Sequence, residues 1–259
     1  MAQSTPDDAY ARVNYRRVIA WPERITREAP LLLRVFSGAP QRRLLDLGCG
    51  TGEHARFLFA NGFAVTGVDS SPVQLATARE GDPGPEFVAG SLEALDQAVP
   101  EGFGGALCLG NTLAHLTGEE AVGRFLSSLA SRLLPGAPFL LQVVNYEKII
   151  GRGERTLPTN FRPGDSAGEE IVLVRLMTHG SGGEVVFTPA TLRYRPHGDP
   201  PLELVSARNV ALHGWRRKEL EPLLSAASLP VEAAYGGMAG ESWSDASADL
   251  VLLCRRSAG

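Results

Sequence analysis

Cysteine is scarce in this chain of 259 residues, and its three cysteines are widely separated. Cys49, Cys108 and Cys254 form no CxxC pair, and an odd number of cysteines does not build a disulfide framework. Thiols of this kind stay reduced in the cytoplasm, where disulfides are rare. The cysteine usage therefore argues against a disulfide-stabilised secreted domain and predicts a cytoplasmic protein.

Runs of basic residues and long apolar segments are missing as well. The formal net charge is −4, and the densest basic stretches are as short as Arg42-Arg43 and residues 216–218. Proteins that bind nucleic-acid backbones usually carry a basic face, and a membrane-spanning helix needs roughly 18 consecutive apolar residues. Residues 1–20 contain several charges and no apolar segment typical of a signal peptide. We therefore expect neither a nucleic acid nor a membrane as a partner.

The sequence also lacks the common motifs of metal-dependent and nucleophilic catalysis. It contains no HExxH motif, no cluster of histidine and cysteine at metal-ligand spacing, and no serine in a nucleophile elbow. We therefore predict no metal site, and no serine-hydrolase or metalloprotease chemistry.

Short apolar runs alternate with helical patterns between residues 44 and 144. Such alternation favours a parallel sheet that is covered by helices on both faces. The predicted strands are Leu44–Leu47, Phe63–Val68, Glu86–Ala89, Gly105–Leu109 and Pro138–Val144. The predicted helices are Glu53–Asn61, Pro72–Arg79 and Glu119–Leu134.

The flanking regions follow different patterns. Residues 8–36 have helical spacing, and the Gly, Arg, Pro and Asp content of residues 148–168 predicts a long loop. Three consecutive strands are predicted next, with a hairpin turn at residues 181–183. Strands without intervening helices indicate an antiparallel meander. These strands are Ile171–His179, Glu184–Tyr194 and Leu202–His213. A helix at Trp215–Ala227 and strands at Val231–Tyr235 and Asp249–Arg255 follow.

The segment LLDLGCGTG, residues 44–52, ends a predicted strand in a glycine-rich turn before a helix. Glycines there let the chain turn tightly and let a ligand approach the backbone. The dinucleotide fingerprint is not matched, because the third glycine comes one residue early and Glu53 follows it. Asp46 adds a second carboxylate. Two carboxylates beside the loop suit a ligand that has a positive end and no phosphate.

The next strand ends in Asp69, about 20 residues after the first glycine of the loop. A carboxylate at this point can accept hydrogen bonds from both hydroxyls of a ribose. Together, the glycine loop and the acid predict a nucleoside site at the carboxyl end of the sheet.

LLDLGCGTG resembles motif I of the class I S-adenosylmethionine-dependent methyltransferases, and VDSS at residues 68–71 resembles their acidic loop. The resemblance implies an aspartate near the methionine amino group of the cofactor. It also implies glycines against the methionine and ribose, and an acid that binds the ribose. Residues of these two segments assigned to cofactor binding are Asp46, Gly48, Cys49, Gly50, Gly52, Asp69 and Ser70. Cys49, between the glycines, is also interpreted as a small buried residue.

Shorter segments resemble the glycine N-methyltransferase-like small-molecule methyltransferases. They are FVAGSL at 87–92, LCLGNTLAHL at 107–116 and VVNY at 143–146. In that group an N-terminal helical segment with Tyr and Arg folds over the cofactor. The resemblance therefore adds these cofactor-binding candidates: Tyr15, Trp21, Arg24, Ser91, Leu92, Leu109, Gly110 and Asn111.

The resemblance implies an α/β fold, with a Rossmann-like class I methyltransferase sheet, helices on both faces and an inserted antiparallel β lid. The predicted divisions are a helical cap at 1–40, the cofactor-binding core at 41–147, the lid and substrate region at 148–213, and the last core elements at 214–259.

His115, Asn145 and Tyr146 are the predicted catalytic residues. We expect in-line methyl transfer from S-adenosylmethionine to a small molecule, with nitrogen favoured over oxygen, leaving S-adenosylhomocysteine as product. The Pro-Pro signature of nucleic-acid amino methyltransferases is absent after Gly110-Asn111. Methylation of oxygen, a non-catalytic cofactor-binding protein and, with less support, a NAD-dependent oxidoreductase remain alternatives. Arg193 and Arg195, on one face of a predicted lid strand, are either solvated or contact an acidic acceptor.

Overall fold

The computed structural model describes residue 16, residues 19–80 and residues 84–258. Within these residues the helices are α1 (Trp21–Ser37), α2 (Glu53–Ala60), α3 (Pro72–Ala78), α4 (Leu95–Ala98), α5 (Glu119–Arg132), α6 (Tyr146–Gly151) and α7 (Arg217–Ala226). The strands are β1 (Arg43–Leu47), β2 (Ala64–Asp69), β3 (Glu86–Ala89), β4 (Gly105–Cys108), β5 (Pro138–Val144), β6 (Thr156–Pro163), β7 (Glu170–His179), β8 (Glu184–Tyr194), β9 (Leu202–Ala207), β10 (Val210–His213), β11 (Val231–Tyr235) and β12 (Asp249–Arg255).

Seven strands form the main sheet in the order β11-β12-β5-β4-β1-β2-β3. Strands β1 to β5 pair in parallel, whereas β12 is antiparallel to both of its neighbours. The parallel strands have continuous apolar runs because both faces of such a sheet are covered. This arrangement confirms the predicted α/β sheet. It also brings the carboxyl ends of β1, β2, β4 and β5 to one edge.

The two faces of the sheet have separate cores. Leu45 and Leu47 belong to a core cluster that includes buried residues of α5 and α7, whereas Leu44 belongs to the cluster on the side of α1 and α2. Side chains alternate between faces along a strand, so Asp46 shares the face of Leu44. The carboxylate of motif I is therefore on the side of the sheet that α1 covers.

Helix α1 is the described part of the predicted N-terminal helical segment. Pro22 occupies its first turn, where a missing backbone N–H is tolerated. Leu31, Leu32, Val35 and Phe36 are its buried apolar face, which packs on the sheet.

The predicted loop at residues 148–168 is wrong. Residues 146–151 form α6, because the Asn145 side chain accepts a hydrogen bond from the backbone N–H of Lys148 and caps the helix. Residues 156–163 form β6, which pairs only with β7. Its Pro content is tolerated because an edge strand has backbone groups that need no strand partner.

The second sheet is antiparallel, as predicted, with the order β10-β8-β7-β6, and β9 also pairs with β8. The hairpin turn at residues 181–183 is confirmed between β7 and β8. The single strand predicted at residues 202–213 is wrong, since β9 and β10 pair with different parts of β8. No helix of the described residues is long and apolar enough to span a bilayer.

The segment after β10 joins the second sheet to the core. Trp215 is 1% exposed, and its indole N–H donates to the carbonyl of Leu116 at 2.9 Å. The His213 ring lies 3.9 Å from the Trp215 ring, and Gly214 lies against Tyr146. This contact fixes the antiparallel sheet beside the edge at which β5 ends.

Replacement of Trp215 by Phe is expected to lower the free energy of unfolding by about 1–3 kcal/mol, because the buried Leu116 carbonyl loses its donor. Urea denaturation measures the change. Trp243→Phe is the matched control, since the indole N–H of Trp243 has no hydrogen-bond partner among the described residues. A loss no larger than that of the control would contradict a stabilising role for this hydrogen bond.

Candidate functional site

The glycine loop after β1 is held against the end of β2 by main-chain hydrogen bonds. The N–H groups of Gly48 and Cys49 both donate to the Val68 carbonyl, at 2.8 and 3.1 Å. Gly48 has a φ of +69°, and a Cβ atom there would lie 2.3 Å from Thr112. The loop is therefore closely packed on one side and excludes any larger residue at Gly48.

Gly50 and Gly110 define the open side of the site. Both have positive φ values, of +55° and +70°, and a Cβ atom on either would meet nothing within 4 Å. These two backbone segments lie at the carboxyl ends of β1 and β4, which are adjacent strands. The space beside them is where a ligand can approach the main chain closely.

The carboxylate of Asp69 is bound to the same loop. One oxygen accepts a hydrogen bond from the N–H of Gly50 at 2.8 Å, and the other accepts one from the N–H of Ser71 at 2.9 Å. A carboxylate oxygen can accept more than one hydrogen bond. Asp69 is half-buried and Ser70 is exposed, so both predicted residues are at the rim of the site.

Asp46 lies beneath the loop and is 2% exposed. Its Oδ2 atom has no hydrogen-bond partner among the described residues. The pKa of Asp46 is raised to about 6, chiefly by burial; the charges of Asp69 and Glu53 contribute to the rise, whereas His54 and the N–H of Ala55 limit it. A buried carboxylate with one oxygen unpartnered is unfavourable for the folded protein, and the binding of a cationic group would relieve that penalty.

Helix α1 contributes three polar side chains on the same face of the sheet. Arg24 lies 5.0 Å from the centre of the Trp21 ring, and that ring packs edge-on against His54 at 5.4 Å. The Nε of Arg24 donates to Glu28 at 2.8 Å, and the other oxygen of Glu28 lies 2.6 Å from the Nε2 of His54. Trp21 therefore contacts α2 directly through His54, and Arg24 is connected to α2 through Glu28. Both residues thus lie near the helix that follows the glycine loop.

Asn111 and Tyr146 come together at the ends of β4 and β5. The Asn111 side-chain amide donates to the Tyr146 hydroxyl at 3.0 Å and accepts from the Val144 N–H at 3.1 Å. Burial raises the pKa of Tyr146 to about 12, which the hydrogen bond from Asn111 partly opposes. The phenol therefore stays protonated near neutral pH. This state makes Tyr146, a predicted catalytic residue, a hydrogen-bonding group rather than a base.

Asn145 is fully buried, and its side-chain amide donates to the carbonyls of Ser244, Asp245 and Ser247. Its oxygen caps α6. These contacts connect the end of β5 to the loop before β12. They favour a positioning role for Asn145 over the catalytic role predicted from its place in the sequence.

His115 ends the 3-10 turn at Thr112–His115, against which β10 packs. The residue is partly exposed to solvent. The protein around it reduces the solvation of its ring, and this effect and the charge of Arg208 lower its pKa. The imidazole is therefore neutral at pH 7 and can accept a proton.

The remaining predicted cofactor residues differ in exposure. Ser91 is exposed and Leu92 half-buried after β3, whereas Leu109 is buried and its carbonyl accepts a hydrogen bond from the Thr112 hydroxyl at 2.7 Å. Cys49 is 8% exposed, and burial raises the pKa of its thiol, so it is an unreactive thiol. Gly52, with a φ of +83°, precedes α2, and a Cβ atom there would overlap Phe87. Tyr15 lies outside the described residues.

Sequence reasoning missed Glu28 and Gln142. Glu28 falls on the buried face of α1 with Leu31, Leu32 and Val35 at helical spacing, so a carboxylate on an apolar face was the available signal. The Gln142 side chain accepts from the N–H of Gly110 at 2.6 Å and bonds to Asp249. Gln142 is a polar residue within the apolar strand β5, which is a weaker sequence signal than the carboxylate of Glu28 on an apolar helix face.

Arg16 was also missed, and it changes the interpretation of Glu53. Its guanidinium pairs with Glu53 at 2.9 Å and Glu80 at 3.0 Å, and it donates to the carbonyls of Thr51 and Thr77. The Thr51 hydroxyl donates to the second oxygen of Glu53. The charge of Glu53 is therefore partly compensated. Its side chain nevertheless occupies the amino end of α2, where a pyrophosphate would bind in a dinucleotide site.

The chain is similar to known methyltransferases. A family described as "Methyltransferase domain" matches residues 44–136. A glycine/sarcosine N-methyltransferase of Aphanothece halophytica is 27% identical over 157 residues, 59% of each chain. The dTDP-3-amino-3,6-dideoxy-α-D-glucopyranose N,N-dimethyltransferase of Streptomyces fradiae is 26% identical over 202 residues, which cover 76% of this chain and 73% of that one.

A solved structure shares the fold over nearly the whole chain. It is that of SAM-bound CalS10, an amino pentose methyltransferase from Micromonospora echinaspora, with a TM-score of 0.70 at 20% identity over 99% of this chain and all of that one. By contrast, the chain matches only 59% of the length of the glycine/sarcosine enzyme. The match to CalS10 confirms the predicted fold, and the second, antiparallel sheet is seen in this chain itself.

Replacement of Asp46 by Asn is expected to stabilise the ligand-free protein at pH 8 by about 3 kcal/mol, because it removes a buried charge whose pKa is raised. The folded state binds the proton of Asp46 more tightly than the unfolded state does. Wild-type stability therefore falls as pH rises from about 4 to about 6, and the gain in the variant shrinks towards pH 4. Urea denaturation at several pH values measures this.

The exposed acid Asp96 provides the control, and Asp96→Asn should change the free energy of unfolding little at any of these pH values. A variant Asp46→Asn that is less stable than wild type at pH 8 would contradict the interpretation of Asp46 as a buried carboxylate that destabilises the folded state.

Proposed function

We propose that this chain, which carries the methyltransferase domain and the fold of the class I S-adenosylmethionine-dependent methyltransferases, transfers a methyl group from S-adenosylmethionine to an amino group of a small molecule. The observation that carries the proposal is the buried Asp46, whose Oδ2 lacks a partner beneath an open glycine loop. An ammonium group beside a ribose, with no phosphate, matches that arrangement of charges.

The residues present fit this cofactor. Asp46 would hold the methionine ammonium, Asp69 would accept hydrogen bonds from the ribose hydroxyls, and Arg24 would pair with the carboxylate. The open space beside Gly50 and Gly110 leaves room for close contact with the backbone. When bound, S-adenosylmethionine supplies a methyl group that is already activated on a sulfonium.

The methyl acceptor would bind at the end of β5, beside the segment that joins β5 to the second sheet. Because the methyl donor is activated, the protein mainly has to orient the acceptor and exclude water. Tyr146 and Asn111 form a fixed pair of hydrogen-bonding groups there. His115 is neutral and can take the proton that an amine must lose. An amine is favoured because both curated relatives named above are N-methyltransferases, of glycine and sarcosine and of an amino sugar.

Calorimetric titration tests the cofactor assignment. We expect S-adenosylmethionine and S-adenosylhomocysteine to bind and NAD not to bind. Asp69→Ala should weaken binding of S-adenosylhomocysteine roughly 10- to 100-fold, because hydrogen bonds to a charged acceptor contribute about 1.5–3 kcal/mol. Asp96→Ala, which removes an exposed acid elsewhere, is the matched control and should not change the affinity. Binding of NAD alone would overturn the assignment.

The pH dependence of methylation tests the acceptor side, with glycine, sarcosine and amino sugars as the acceptor panel. Tyr146→Phe is expected to lower kcat about 10-fold through the loss of a hydrogen bond. The shape of the pH profile between pH 6 and 9 should not change, since the Tyr146 pKa is about 12. His115→Asn should instead lower kcat and remove the part of the low-pH fall that comes from protonation of the His115 imidazole. The part that comes from protonation of the acceptor amine should be the same in wild type and variant. A profile whose shape depends on Tyr146 would contradict these roles.

A further inference from the structure

We infer that Glu28 and His54 form a positioning pair that holds Arg24 in place for the carboxylate of the cofactor. The inference rests on the proposed function and extends it to two residues that do not themselves contact the cofactor. It is carried by three side chains from two helices, joined by two hydrogen bonds at the edge of the main sheet.

Glu28 is the centre of this group. It is 2% exposed, and each of its oxygens has a separate partner, Arg24 at 2.8 Å and His54 at 2.6 Å. His54 is the second residue of α2, immediately after the glycine loop. Glu28 therefore connects the helix that covers the site to the helix that begins at the cofactor loop.

The charge of Glu28 is maintained although the residue is buried. Burial by itself would raise its pKa, but the hydrogen bond with His54 and the charge of Arg24 lower it below its ordinary value. The carboxylate is thus ionised near neutral pH. It fixes the Nε edge of Arg24 while the Trp21 ring lies beside the guanidinium.

The terminal nitrogens of Arg24 have no hydrogen-bond partner among the described residues. A guanidinium fixed through its Nε can still use these nitrogens to bind a carboxylate. Arg24 is near Asp249, which pairs with Val144 at the carboxyl end of β5. It is therefore at the same edge of the sheet as the glycine loop.

Glu28 and His54 also connect two side chains of opposite charge, Asp46 and Arg24. These charges are complementary to the ammonium and the carboxylate of an amino acid. His54 is close enough to Asp46 to lower its pKa. Asp46 would receive an ammonium and Arg24 a carboxylate, and Glu28 and His54 link the two positions. A buried charged group is a poor means of stabilisation, because desolvation of each ion costs several kcal/mol. Its place beside the loop is better explained by the orientation of a ligand.

Two nucleosides that differ in the amino acid part test this inference. S-adenosylhomocysteine carries the ammonium and carboxylate, whereas 5′-methylthioadenosine carries neither. We expect Glu28→Gln to raise the Kd of S-adenosylhomocysteine about 10-fold and to leave the Kd of 5′-methylthioadenosine within about twofold of wild type, measured by calorimetry. Arg27→Gln is the matched control, since Arg27 also approaches Glu28, at 3.9 Å, but is 62% exposed. It should change neither value.

The other outcomes separate this inference from the proposed function. Equal weakening of both nucleosides, or no change in either, would show that Glu28 has only a structural role and would overturn the inference. If wild type binds neither nucleoside, the proposed function fails and the inference with it. If Glu28→Gln does not fold, His54→Gln decides the matter through the same comparison, with the same selective loss expected.

Discussion

The site depends on one unfavourable feature, a carboxylate buried under a glycine loop with one oxygen unpartnered. The pKa of Asp46 is raised to about 6, chiefly by burial and in part by the charges of two nearby carboxylates, Asp69 and Glu53. The core of a protein rarely holds such a group unless it serves a function, because the folded state loses stability to it. A cationic group bound beside this oxygen would compensate the buried charge.

The order of the strands determines how the segments around this carboxylate are arranged. Because β1 lies between β2 and β4, its glycine loop can bond to the end of β2 on one side and pack against Thr112 on the other. Gln142, on β5, holds Gly110 through its side chain and Asn111 through its carbonyl. The loops of three strands are thereby fixed to one another, and the rigidity of the site comes from the sheet itself.

The parts of the site that sequence could predict are those set by local chemistry. A glycine loop between a strand and a helix, and Asp69 at the end of the next strand, follow from patterns within a short stretch of chain. Glu28 and Gln142 could not be assigned in this way, because the partners that tie them to the site, His54 and Gly110, lie 26 and 32 residues away. The edge strand β6 was missed because none of its side chains is buried, so it has no apolar face to mark it. Asn145 was assigned by position although its contacts reach residues 244–247.

The charges around the loop are what distinguish this site from a dinucleotide site. Glu53 stands at the amino end of α2 and is held there by Arg16 and the Thr51 hydroxyl. Repulsion of phosphate by Glu53 is therefore weaker than sequence alone suggested, but the helix terminus is occupied by an anion of the protein itself. A ligand at this edge must be favoured by its own positive charge, and Asp46 provides the complementary charge. The charges at this edge therefore favour a cofactor with a positive group over one with a pyrophosphate, and they discriminate more strongly than the spacing of the glycines.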